Sequence, residues 1–270
     1  MLNIAGENTL VDMKKCFVCC GDATFYCKWQ EFDYVKCNDC CLVYVDELPT
    51  EEQMYAAYDG GKWKSLKRKL VAPFRSIEKF KGYQERVSDF DVKLKQALPF
   101  FDNSLDKTLL DIGCNKGFFL VAAINNGFKV SGVELVPELT VQFKRKYKQF
   151  AKNIYAENIS NVNKRFKEGE FSMITAFDVV EHLTNPIEDF QHLLRILKPG
   201  GIFLLQTPNT DSEESKKEKG NWGAIKAFEH YHLFNEKNLE QFAKKIGFTK
   251  VDFLDSKLCH GGDMLAILTK

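Results

Sequence analysis

Four of the nine cysteines in the 270-residue chain have the type and spacing of metal ligands. Cys16-x-x-Cys19 and Cys37-x-x-Cys40 are separated by 17 residues, inside the C-x2-C-x15–20-C-x2-C window of a tetrahedral zinc site. Four thiolates fill the tetrahedron, so the expected ion is structural; a catalytic zinc would need an open position. Cys20 and Cys41 directly follow each pair, where glycine is common in such knuckles, and Cys27 has no partner in the pattern; these three read as non-ligands. Two short hairpins carrying Phe25, Tyr26, Phe32 and Tyr34 complete a zinc ribbon too small to fold without its ion.

A second group of residues has the chemistry of a nucleoside site. The apolar run Leu109, Leu110 and Ile112 is short enough for a buried parallel strand, and Gly113 and Gly117 follow it where backbone can approach a ligand closely. Phe119, Leu120, Ala123 and Ile124 recur at helical spacing from Phe118 to Asn126, and Gly127 suits the helix end. Lys129 to Val133 reads as the next strand. Glu134 lies at its end, 23 residues after Asp111, where a carboxylate accepts hydrogen bonds from two ribose hydroxyls. Dinucleotide enzymes use the same arrangement, so the spacing alone does not choose a cofactor.

The string D-x-G-C-x-x-G followed by V-E resembles the first two motifs of class I S-adenosylmethionine-dependent methyltransferases and differs from G-x-G-x-x-G. The resemblance implies that Asp111, Gly113, Cys114, Asn115, Gly117 and Phe118 form the loop beneath the methionine part of the cofactor and that Glu134 holds the ribose. It places Glu157 and Asn158 near the adenine and adds Leu135, Phe177 and Asp178 to the cofactor contacts. Asn115 stands where many members have a further glycine. Cys114 is frequent in the family, so it is assigned no thiol chemistry.

Later segments extend the resemblance in order. Phe171 to Phe177 reads as the fourth strand, and Asp178-Val-Val-Glu-His182-Leu-Thr-Asn-Pro186 is similar to a segment of the ubiquinone-type O-methyltransferase branch. Ile187, Phe190, Leu193, Leu194 and Leu197 form one helical face. Lys198-Pro-Gly-Gly201 ends that helix, and Ile202 to Thr207 is a fifth strand. Glu229-His230-Tyr-His232-Leu-Phe-Asn235 and the helix pattern after it resemble another element of the branch, and strands at about Thr249 to Leu254 and Met264 to Thr269 complete the sheet. The expected fold is α/β, a Rossmann-like seven-stranded methyltransferase sheet with helices on both faces, plus the ribbon. The expected division is ribbon 1–50, helical cap or linker 51–105 and catalytic domain 106–270. A ribbon ahead of this core resembles bacterial methyltransferases of sugar and surface-glycan pathways.

A chain that is 44% apolar with net charge +1 can bury a full core and makes no global demand for nucleic acid. Its first residues, Met1-Leu-Asn-Ile-Ala-Gly-Glu-Asn8, carry neither a basic start nor an apolar stretch, and no apolar run approaches the roughly 18 residues of a membrane span. The reading is a cytoplasmic protein in a reducing compartment, where a disulfide framework is not expected. Lys62, Lys64, Lys67, Arg68, Lys69, Arg75, Lys79 and Lys81 face only Glu78 between Gly61 and Gly82. They form either a solvated helix face or a lid over an anionic acceptor, with Trp63, Phe74 and Tyr83 available to stack on a ring. Thr210 to Gly220 reads as a mobile loop.

Methyl transfer from a sulfonium is an in-line displacement, so the protein must align the acceptor and take its proton. Candidates beyond the carboxyl ends of the strands are Asp178, Glu181, His182, His230 and His232. In one mechanism His230 or His232 is the general base, with His230 favoured. In the other Asp178, Glu181 and His182 hold a divalent cation such as Mg2+, as the resemblance implies. Capping and packing remain the structural alternatives for Glu181 and His182. His260-Gly-Gly-Asp263 is either a turn or a contact to the acceptor. The expected activity is O-methylation of a small polar or anionic acceptor; C-methylation of a keto-sugar, RNA methylation and a non-catalytic ribbon-docking protein are the rivals.

Overall fold

A computed structural model describes residues 15–50, 52–53, 77–259 and 262–270. Its centre is a seven-stranded sheet built from β4 (Thr108–Ile112), β5 (Lys129–Val133), β6 (Ile154–Tyr155), β7 (Phe171–Phe177), β8 (Leu197–Pro208), β10 (Lys250–Phe253) and β11 (Asp263–Thr269). The order is β10-β11-β8-β7-β4-β5-β6, parallel from β8 through β6, with β11 antiparallel to β8 and β10 antiparallel to β11.

The strands read as continuous apolar runs because both faces are covered. Leu109, Met173, Ile202 and Leu204 face one layer with α1 (Tyr83–Ala97) and α2 (Phe118–Asn125). Their neighbours Leu110, Ile174, Phe203 and Leu205 face the other, with α5 (Pro186–Ile196) and α7 (Glu236–Ile246). Two short helices add to these layers, α3 (Val141–Lys146) through Phe143 to the first and α4 (Val162–Arg165) through Val162 to the second. Each fully buried Leu or Phe contributes about 1.5–3 kcal/mol relative to exposure. Helix α2 is buried from Phe118 through Ala123 because the sheet and α1 enclose it. Thus α1, at the end of the 51–105 segment, is a layer of the core. The basic run up to Arg75, with Trp63 and Phe74, lies outside the described residues, as do His260 and Gly261.

A second, four-stranded sheet has the order β1 (Ala23–Trp29), β2 (Phe32–Cys37), β3 (Val43–Val45) and β9 (His232–Leu233). Its fourth strand comes from the C-terminal part of the chain: Val43 pairs with Leu233 and Tyr44 with His232. The face below is closed by Phe32, Tyr34, Val43 and Val45 against Trp222, Ile225, Ala227 and Leu233.

Two segments differ from the sequence reading. Strand β8 begins at Leu197, because Leu197 already pairs with Phe171 while α5 stops at Ile196. Within the expected loop 210–220 a helix, α6 (Glu213–Glu218), forms; the Ser212 side chain accepts the Ser215 N–H at 3.1 Å, acids fill the first turn and lysines the last.

Candidate active site

The loop after β4 turns back onto β5 through two hydrogen bonds, in which the N–H groups of Gly113 and Cys114 donate to the Val133 carbonyl at 2.8 and 3.0 Å. Gly113 takes φ 70° and a Cβ there would lie 2.7 Å from Val179 Cγ2, so the position needs glycine for conformation and for space. Gly117, at φ 77°, is required by packing: a Cβ would strike the Phe143 ring. Asn115 carries φ 47°, a conformation its short polar side chain tolerates. Its N–H donates to Glu134 Oε2 at 2.9 Å while Val136 N–H donates to Oε1 at 2.9 Å, so the carboxylate at the end of β5 braces the glycine loop.

Beyond these strand ends lies a cavity of about 520 Å³, a size suited to a small-molecule ligand. Of the expected cofactor residues, Gly113, Glu134, Leu135, Glu157 and Asn158 line it. Leu135 is 66% exposed and lines its rim. Glu157 is held by Arg165, whose Nε donates at 2.7 Å. The other expected residues are placed differently. Asp111 is buried beneath the loop, accepts from Thr175 Oγ1 at 2.7 Å, and is pushed up to about 7 by desolvation. Cys114 is buried with its Sγ beside Gly132, and burial raises its thiol well above the ordinary range. Phe118 packs on Phe80 and Tyr83, and Phe177 on Phe90 and Phe119. Tyr83 is therefore a core residue.

A second cavity, of about 330 Å³, is lined by Asp178, Glu181, Trp222, Glu214, His230 and Asp263, among others. His182 lines the first cavity and His230 the second, and their rings meet edge to face with centroids 4.8 Å apart. The imidazole pair is the partition between the two spaces. His230 Nδ1 lies 2.8 Å from the Ala224 carbonyl, and His182 Nδ1 contacts the Glu229 carbonyl. A carbonyl only accepts, so each Nδ1 carries the proton and each Nε2 keeps its lone pair. Burial, and then the neighbouring His182, pulls His230 down to about 4; burial lowers His182 too.

Glu181 Oε1 lies 3.8 Å from His182 Nε2 while Oε2 accepts from Thr207 Oγ1 at 3.0 Å. Desolvation pushes this carboxyl up to about 8. Glu181, His182 and His230 offer ligand atoms within 4.8 Å of one another, so the geometry groups His230 with this pair where the sequence suggested Asp178. Asp178, at φ 55°, instead accepts from Gln206 Nε2 at 3.0 Å; Gln206 also donates to Asp263 Oδ2 at 3.0 Å and accepts from the buried Lys93 ammonium at 2.5 Å. Burial raises Asp178, and raises Asp263 to about 6. His232 is not brought to either cavity: it is 2% exposed and packs on Phe17 at 4.9 Å. Sequence reasoning missed Lys93 and Gln206, which carry no local signal. It also missed Phe228 and Tyr231, which line the first cavity beside the Glu229-His230 pair.

In the ribbon, Cys16, Cys19, Cys37 and Cys40 place their sulfurs within 4.8 Å of one another. Cys16 and Cys40 are 3.5 Å apart and Cys19 and Cys37 3.4 Å; zinc bonds of about 2.3 Å in a tetrahedron require roughly 3.8 Å. The donor set fits zinc. Cys20 and Cys41 stand outside the quartet at φ 63° and 64°, the left-handed knuckle position glycine commonly takes.

The sequence profile of the methyltransferase-domain family matches residues 83–252, and the chain belongs to that family. The matched region is a class I S-adenosylmethionine-dependent methyltransferase domain. Among curated relatives it is 32% identical over 107 residues to the tRNA U34 carboxymethyltransferase of Campylobacter curvus, covering 39% of this chain and 36% of that protein. It is 29% identical over 103 residues to the ubiquinone biosynthesis O-methyltransferase of Xanthomonas campestris, covering 37% and 43%. The matched region thus spans less than half of each relative. A methyltransferase structure from Archaeoglobus fulgidus aligns with TM-score 0.53 at 20% identity over 72% of this chain and 97% of that one. The 1,6-didemethyltoxoflavin-N1-methyltransferase of Burkholderia thailandensis aligns with TM-score 0.53 at 16% identity over 92% and 97%. These two alignments show the fold. Among the described residues no helix is long and apolar enough to cross a membrane.

Proposed function

We propose that the chain methylates a hydroxyl of a small polar acceptor, a sugar, nucleotide sugar or related metabolite, as in surface-glycan synthesis. The observation that carries this reading is His230, whose Nδ1–H is committed to the Ala224 carbonyl and whose Nε2 lone pair is left for a proton beside the second cavity. Glu134 would hold the ribose of the cofactor, with Leu135, Glu157 and Asn158 around the adenine, and the methyl would meet the acceptor at the His182–His230 partition. Bound S-adenosylmethionine supplies a methyl on a sulfonium, already activated for in-line displacement. His230 orients the acceptor hydroxyl and takes its proton as the new C–O bond forms. The relative named for O-methylation in ubiquinone biosynthesis supports oxygen as the acceptor atom.

The wall of the second cavity bears on the acceptor's charge. Among the described residues it carries Asp178, Glu181, Glu214 and Asp263 and no lysine or arginine, which favours an uncharged, hydroxyl-bearing sugar ring against this wall over a phosphate group and disfavours the phosphates of RNA there. A second mechanism is favoured by the Glu181, His182 and His230 grouping, which would hold a divalent cation that lowers the acceptor's pKa. The cysteine quartet would hold a structural zinc ion. The test is a panel of sugars and nucleotide sugars assayed for S-adenosylhomocysteine release, with and without added Mg2+, in wild type and His230→Ala. Turnover that needs His230 and no Mg2+ supports the general base, and turnover that needs both supports the cation; release unaffected by His230→Ala overturns the reading.

A further inference from the structure

The ribbon is built into the wall that carries His230. Strand β3 pairs with β9, Val45 N–H donates to the Tyr231 carbonyl at 3.0 Å, and Asn238 Nδ2 donates to the Cys40 carbonyl at 3.2 Å. At the centre of this junction is Tyr34, with no exposed surface. Its hydroxyl donates to the His230 carbonyl at 2.6 Å and accepts the Lys226 N–H at 3.1 Å, across 196 and 192 residues of sequence. These two contacts close both ends of one tight turn: His230 N–H donates to the Lys226 carbonyl at 2.8 Å, and His230 Nδ1 reaches back past the turn to the Ala224 carbonyl.

We propose that Tyr34 is a positioning residue for His230, through which the ribbon fixes the orientation and tautomer of that imidazole. This rests on reading His230 as the group that acts on the acceptor. Three features support it. The phenol is the side chain that bonds the His230 carbonyl, and the same oxygen holds the N–H four residues earlier. Tyr34 is itself fully buried in a cluster with Phe32, Val43, Trp222 and Ile225, so its hydroxyl has these backbone groups as its partners and would be costly to leave unpaired. Burial raises the Tyr34 phenol, which keeps it protonated and able to donate.

The experiment is Tyr34→Phe, which keeps the ring in its cluster and removes only the hydroxyl. The zinc-loaded full chain is compared with wild type by ring 15N spectra of its five histidines and by amide exchange, with S-adenosylhomocysteine as the probe of the first cavity. The His230 signal is assigned by its loss in His230→Gln. Wild type should show His230 as a single Nδ1–H tautomer. In Tyr34→Phe that signal should become a mixture, and amides of residues 224–231 should exchange at least about tenfold faster. Binding of S-adenosylhomocysteine should stay within about twofold. An unchanged His230 signal with unchanged exchange overturns the proposal. Phe32→Leu, which loosens the same cluster and leaves the hydroxyl, separates packing from hydrogen bonding: if it shifts His230 equally, the proposal also falls. Neither readout requires an acceptor, so normal turnover by His230→Ala would remove the catalytic reading while leaving this result to stand or fall by itself.

Discussion

Glu134 and Asn115, nineteen positions apart, are joined by a hydrogen bond of 2.9 Å from the Asn115 N–H to Glu134 Oε2. The acid proposed to receive a ribose also holds the glycine loop in shape. Glu134→Ala should therefore remove ligand contacts and loop bracing together. Calorimetry should show S-adenosylhomocysteine affinity falling by about 10- to 100-fold, the loss of one or two charge-assisted hydrogen bonds. Unchanged affinity would place the ribose elsewhere.

Asp111 gives a pH signature. Burial raises its folded value to about 7, above the ordinary carboxylate range in the unfolded chain. Its protonated form contributes stability that is fully present below the unfolded value of about 4 and is lost as pH rises through about 7. Asp111→Asn cannot ionise and still accepts from Thr175. The variant should match wild type near pH 4 and exceed it at pH 8 by roughly 1 to 4 kcal/mol in denaturant unfolding. A variant equally less stable at both pH values would contradict this burial argument.

The ribbon should bind one zinc ion per chain. Elemental analysis should find the metal retained in Cys20→Ser and Cys41→Ser and lost in Cys16→Ser or Cys37→Ser. Because β3 pairs with β9, chelation should also raise amide exchange across residues 222–235 while leaving β4 and β5 protected. Exchange confined to residues 15–45 would show that the two sheets are independent.

Much of this architecture was legible because its signals are local. Phe171 to Phe177 and Lys129 to Val133 form strands over the expected residues, since apolar β-formers bounded by turn residues leave little choice. Helix α6 was missed although Ser212, Glu213, Glu214, Lys216 and Lys217 spell a cap and a charge order, because the segment's polar composition outweighed its pattern. Strand β9 was beyond reach: two residues acquire strand geometry only by pairing with β3, about 190 positions away. Long separations also hid the contact of Tyr34 with His230, 196 positions apart, and that of Lys93 with Gln206, 113 apart. His232 resembled its neighbour His230 in sequence, yet His232 belongs to β9, where pairing with Tyr44 buries its ring against Phe17, while His230 lies in the turn before the strand.

The central claim is that His230 takes the acceptor's proton at a site whose cofactor pocket is separate. The most direct test measures S-adenosylhomocysteine affinity and acceptor turnover in His230→Ala on the best substrate of the sugar and nucleotide-sugar panel. The account predicts affinity within about twofold of wild type and turnover reduced by about 10²- to 10⁴-fold, the usual worth of a general base. Turnover at the wild-type rate in that variant would contradict it.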